Sequence, residues 1–110
     1  MWVYVIEGFR FPFEDKHLVK AVHDAAEYFG LYKTLEQMRP SRSHWHWKRE
    51  GLNGTLEVTW EDDKHQLLVI VHQNRAGQDN WAKKLAPKFA QELALGLDGK
   101  VTNHHVTHGH

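Results

Sequence analysis

The chain has no cysteine. That excludes disulfides, thiolate zinc sites and a thiol nucleophile, and it removes any positive sign of an oxidising compartment. It also lacks an apolar run of membrane length. The opening segment Met1-Trp2-Val3-Tyr4-Val5-Ile6 is apolar, but Glu7 ends it and no basic residue precedes it. It therefore reads as neither a signal peptide nor a span, and the expectation is a cytoplasmic protein. Charge of one sign is missing too. Fourteen basic and 14 acidic residues cancel, which leaves no global field to gather nucleic acid.

What is abundant is histidine, with ten among 110 residues. Unperturbed imidazoles gain their proton near pH ~6.5, so mild acid adds up to about ten positive charges. A hydrophobic share of 41% and a charged share of 25% are those of an ordinary globular domain, and a chain of this length can bury a core without staples.

The strongest pattern lies in residues 42–72. Arg42-Ser43-His44-Trp45-His46-Trp47-Lys48-Arg49 alternates polar and aromatic with period two, as does Thr55-Leu56-Glu57-Val58-Thr59-Trp60-Glu61. Residues 67–71 are apolar throughout. Such alternation marks strands with one buried face. The turn Gly51-Leu52-Asn53-Gly54 tolerates positive φ. Closing it there pairs Arg49 with Leu56, Trp47 with Val58 and Trp45 with Trp60. A second turn at Asp63-Lys64 pairs Trp60 with Leu67, Val58 with Val69 and Leu56 with Val71. Both turns send Trp45, Trp47, Leu56, Val58, Trp60, Leu67, Val69 and Val71 to one face, an agreement that a one-residue slip destroys.

Around this meander, residues 2–9 read as a strand that Phe11-Pro12-Phe13 breaks. Residues 14–29 carry Leu18, Val22, Ala25, Ala26 and Phe29 at helical spacing. Either Gly30 caps that helix or, as the spacing of Leu31, Leu35 and Met38 favours, it continues with a bend until Arg39-Pro40 ends it. From an N-cap at Asp79, the recurrence of Trp81, Leu85, Phe89, Leu93 and Leu97 predicts a last helix, kinked by Pro87. The expected domain is residues 1–99, an α+β sandwich of order β-α-β-β-β-α. Its mixed sheet has order 2-3-4-1, with the first strand parallel to the third meander strand and both helices on the Trp45 face. Residues 100–110 form a histidine-rich tail, with a weak strand and then frayed residues.

The opposite face is left open. It carries Arg42, His44, His46 and Lys48 on one strand and Thr55, Glu57, Thr59 and Glu61 on the next, with Leu68, Ile70 and His72 on the third. This register sets Lys48 against Glu57 and His44 against Glu61. The strip Arg42, His44, His46, Lys48, with Arg49 and Arg75 nearby, suits an anionic small molecule or an acidic protein partner. An apolar patch of Val3, Val5, Leu68 and Ile70 on this face points to a homodimer.

Two metal sites are conceivable. His44 and His46 point the same way from one strand, and Glu61 opposite completes a two-histidine, one-carboxylate set for zinc or another transition metal. His104, His105, His108 and His110 form a second, denser group. Against the first stand its flanking cations, and against the second the usual behaviour of termini, so no cofactor is expected. Lys83, Lys84 and Lys88 with Arg42 and Lys48 compose an RNA-binding alternative. The element order is similar to that of double-stranded RNA-binding domains, but their glycine-proline-histidine loop is absent from residues 50–54, and the charge balance argues against nucleic acid. No nucleophile elbow or phosphate-binding glycine loop is present, so the residues read as a binding or regulatory module rather than an enzyme.

Overall fold

The computed structural model describes residues 1–72 and 80–106. Its elements run β1 (Trp2–Glu7), α1 (Asp15–Tyr28), β2 (Tyr32–Gln37), β3 (Arg42–Lys48), β4 (Leu56–Glu61), β5 (Gln66–Val71), α2 (Asn80–Gly96) and β6 (Lys100–Val106). The strands form one sheet in the order β2-β3-β4-β5-β1-β6, with every neighbouring pair antiparallel. Both helices pack on one face, so the α+β class holds. No helix among the described residues is long and apolar enough to cross a membrane.

The sheet is larger than the sequence pattern predicts, and the extra strands change its polarity. The first helix does not continue to Met38. It stops at Gly30, whose φ of 70° reverses the chain. Gly30 N–H bonds Glu27 O at 3.0 Å and Leu31 N–H bonds Ala26 O at 2.9 Å, which closes the helix end. Residues 32–37 then form β2 against β3. The pairing shifts between Lys33 and Leu35. That bulge breaks the period-two alternation and leaves Leu31, Leu35 and Met38 at a spacing that resembles a helix.

The added strand also corrects the mixed sheet. With β2 between α1 and the meander, β5 runs opposite to β1, so the pair is antiparallel, with Tyr4 across from Val69. The strand expected at the start of the tail forms as β6, paired along β1, and it runs through residues 104–106, where the sequence predicts fraying. The Glu7 carboxylate holds this region together. It accepts from Gln66 Nε2 on β5 and from Thr102 Oγ1 on β6, each at 2.8 Å.

The second turn closes as expected, with Trp60 opposite Leu67 and Val58 opposite Val69. The first hairpin is displaced by two residues. Trp47 faces Leu56, Trp45 faces Val58 and Ser43 faces Trp60. An even displacement preserves which face each side chain takes. Trp45, Leu56, Val58, Leu67, Val69 and Val71 are therefore fully buried beneath Leu18, Val22, Phe89 and Leu93 of the helices. Pro87 lies on the exposed side of an unbroken α2. At the far end Phe9, Phe13, Trp60 and His65 form an aromatic knot, with neighbouring ring centres between 5.1 and 6.0 Å apart. A methyl group at Gly99 would lie 2.7 Å from the Phe9 ring, so this packing requires glycine.

Glu36 ties α1 to the edge of the sheet. Its Oε1 accepts from Trp45 Nε1 at 2.7 Å and lies 3.0 Å from His23 Nε2, while Oε2 accepts from Lys33 Nζ at 3.0 Å. These bonds, His23 first and then Lys33 and Trp45, outweigh desolvation and hold the carboxyl at about 2. Trp47, by contrast, is buried with its indole N–H unpaired. The two tryptophans thus differ in what truncation removes. Trp45→Phe orphans a carboxylate contact, whereas Trp47→Phe deletes an unsatisfied donor. Urea unfolding should show Trp45→Phe as the costlier change by about 1–2 kcal/mol.

A second expectation concerns acid. Because the Glu36 carboxyl titrates at about 2 rather than 4.5, its contribution is complete above pH ~4.5 and is lost as the pH falls through the folded value. Glu36→Gln should cost about 1 kcal/mol at neutral pH, discounted for partial exposure. The difference from wild type should shrink steadily between pH ~5 and ~2 in denaturant titrations.

Candidate functional site

Period two places Arg42, His44, His46 and Lys48 together on the open face of β3, as expected. The shifted hairpin changes what they meet. Arg42 stands across from Glu61, His44 from Thr59 and His46 from Glu57. The expected pairs His44–Glu61 and Lys48–Glu57 do not form across the ladder, because each is two residues out of register. Nor is β3 an edge strand, since β2 lies along it. On this face β4 thus brings a carboxylate to two of the four positions of the cationic strip.

Glu57 organises the middle of the face. His46 Nε2 lies 3.3 Å and His72 Nε2 3.0 Å from its Oε1, and Oε2 accepts from the Thr59 hydroxyl at 2.7 Å. The Glu57 side chain is only 12% exposed. Desolvation raises its pKa, but the bonds from Thr59 and His72 and the charges of His72 and His46 together prevail, leaving it below the usual carboxylate value. The His44 ring stacks on His46 at 5.6 Å. Glu57, not Glu61, is therefore the carboxylate beside the histidines. Among the described residues no three histidine, aspartate or glutamate side chains group as a metal ion requires.

The histidine-rich terminus is likewise divided. His104 pairs with Tyr4 and stacks on its ring at 4.4 Å, on the helix side. His105 pairs with Val3 and faces the other way. His108, His110 and Arg75 lie outside the described residues. The apolar patch holds together, but as an interior cluster. Val3, Val5 and Ile70 are 4%, 7% and 5% exposed within a single chain, with Leu68 packed beside them.

Arg49 parts company with the strip. It follows Trp45 and Trp47 in the same parity, so it leaves β3 towards the helices. Its Nη2 donates to Phe29 O at 3.2 Å, and the guanidinium sits 5.4 Å from the centre of the Trp81 ring. Trp81 is fixed in turn, with Nε1 donating to Asn53 O in the β3–β4 turn at 2.6 Å. These contacts frame a cleft of about 500 Å³ at the start of α2, lined by Phe29, Arg49, Asn80, Trp81, Lys84, Leu85 and Lys88. Among the described residues of its lining three are cationic and none is acidic. Lys84 and Lys88 are exposed, one turn apart on α2, and among the described residues neither has an acidic partner. The helix adds the positive end of its dipole there. Lys83 goes elsewhere, its ammonium 4.0 Å from the centre of the Trp2 ring, so the lysine group divides.

The signal for this cleft was present in the sequence. Odd positions 45, 47 and 49 share a face, which sends Arg49 away from His44 and His46. Trp81 with Asn80 and Arg75 near the open end of the sheet suggests a small pocket from sequence alone. Packing explains Trp81 equally well, so its service as a floor for Arg49 stayed hidden. Comparison with protein-family models, with curated proteins and with solved structures found no match.

Glu57→Gln tests how far the open face depends on its carboxylate. The amide keeps one acceptor but presents N–H groups to donors, so it should destabilise the protein by about 1–2 kcal/mol at neutral pH. The Glu57 carboxyl is depressed, so the deficit should fade as the pH drops below ~4.5, which denaturant titration at several pH values measures.

Proposed function

We propose that this chain is a small binding module for an anionic ligand, held in the cleft at the start of α2. The observation that carries this reading is the gathering of Arg49, Lys84 and Lys88 around one cleft with no carboxylate among the described residues of its lining. Cations gathered together lose stability through mutual repulsion, and a bound anion reverses that sign. Arg49 supplies a planar donor set already oriented by Phe29 O and Trp81, and two mobile ammoniums complete it as point charges.

The strip Arg42, His44, His46 and Lys48 lends weaker support, because Glu61 and Glu57 stand opposite Arg42 and His46. It suits an acidic protein partner through Arg42 and Lys48. Pairing of two chains through Val3, Val5, Leu68 and Ile70 loses its main argument, since Val3, Val5 and Ile70 are already buried in one chain. An RNA reading is weakened by the separation of Lys83 from Lys84 and Lys88.

Inorganic pyrophosphate is a suitable probe. Titration calorimetry at low salt should show saturable binding that fades as salt is raised. The variant Lys84→Gln/Lys88→Gln should weaken it about tenfold or more. Absence of binding to the wild-type chain, or binding that the double variant leaves unchanged, would remove the cleft as the site.

A further inference from the structure

A second cleft adjoins the cationic one. It has a volume of about 470 Å³, is lined by Tyr28, Phe29, Pro87, Lys88, Gln91 and Glu92, and shares Phe29 and Lys88 with its neighbour. Its character is different. Tyr28 is 70% exposed, far more than an aromatic ring needs for packing, and it is braced edge-on by Phe29 at 4.9 Å. Pro87 adds a flat apolar surface one turn along α2 from Lys84. Gln91 and Glu92, one turn further along α2 than Pro87 and Lys88, complete the lining.

We propose that the two clefts together form one bipartite site for a nucleotide: a phosphate or diphosphate group attached to a planar nitrogen heterocycle. This deepens the anion-binding reading and rests on it. The phosphates lie among Arg49, Lys84 and Lys88, and the ring lies on Tyr28 and Pro87. Charge sets the direction. Glu92, one turn beyond Lys88, repels an anion and accepts from an exocyclic amino group, while Gln91 both donates and accepts. A single anion leaves the second cleft unfilled. A fatty acyl chain fits it poorly, because Lys88, Gln91 and Glu92 share its lining. A heterocycle uses both properties: its faces stack on the aromatic ring, and its edge meets the amide and the carboxylate. Lys88 belongs to both clefts and spans the junction where the sugar and first phosphate would sit.

The test compares pyrophosphate, ADP, adenosine and decanoate on the intact chain by titration calorimetry without divalent cations. ADP should bind about tenfold more tightly than pyrophosphate, the increment expected of one stacked base. Tyr28→Ala, at an exposed position, should return ADP to the affinity of pyrophosphate while its circular dichroism matches wild type. If pyrophosphate binds but ADP is no tighter, or if Tyr28→Ala leaves the ADP preference intact, the nucleotide proposal is wrong and the anion site stands. If decanoate binds more tightly than ADP, an acyl ligand replaces the nucleotide. If adenosine binds as tightly as ADP, the phosphates contribute nothing to nucleotide binding and the bipartite proposal is wrong, while pyrophosphate binding alone decides the anion site. If none of the four binds, the anion-binding reading fails with the proposal.

Discussion

The two-residue period of β3 is the constraint from which the rest of the molecule follows. Ser43, Trp45 and Trp47 are buried beneath the helices at 3%, 0% and 3% exposure. That single choice of side sends His44 and His46 outward, where His46 meets Glu57 and His44 stacks on His46. It also carries Arg49 past the end of the strand to Phe29 and Trp81. The open face and the cationic cleft are therefore two consequences of one register. Neither can change without moving a tryptophan out of the core, at a cost of roughly 3–5 kcal/mol for a lost aromatic.

Carboxylates spread across the sheet convert this burial into a defined geometry. Glu36 joins α1, β2 and β3 through His23, Lys33 and Trp45. Glu57 joins β3, β4 and the residue after β5, and Glu7 joins β1, β5 and β6. Each carboxylate accepts bonds from neighbouring strands, so each stays ionised well into acid and fixes the lateral order of the strands. This arrangement explains why a chain with balanced charge uses several of its acids inside the fold, while among the described residues neither Lys84 nor Lys88 forms an ion pair.

Much of this was legible in the amino acids. The inward and outward faces of β3, β4 and β5 followed from alternation alone, as did the pairing of β4 with β5. The stripe of α2 was equally plain. Three things were not. The loop Gly51-Leu52-Asn53-Gly54 admits more than one closure, so the first hairpin could be placed only to within an even number of residues, and the partners of His44 and His46 were exchanged. Tyr32 to Gln37 contains a bulge, so its period resembled a helix, and the missing strand then reversed the predicted direction of β1. The cleft at Arg49 combines residues from α1, β3 and α2 that are distant in sequence. The parity of Arg49 and the grouping of Asn80 with Trp81 only hinted at it.

The two outer ladders of the sheet have one more consequence. The β2–β3 pairing slips between Lys33 and Leu35, and the β6–β1 pairing slips beside Val5 and Ile6. A border strand with an unbroken row of amides and carbonyls is a template for recruiting further chains. Here both borders are interrupted, which twists the free edge and spoils its spacing for an incoming strand. The same irregularities that hid β2 from a periodicity search therefore guard a tryptophan-rich, uncharged-on-average chain against growing into fibrils.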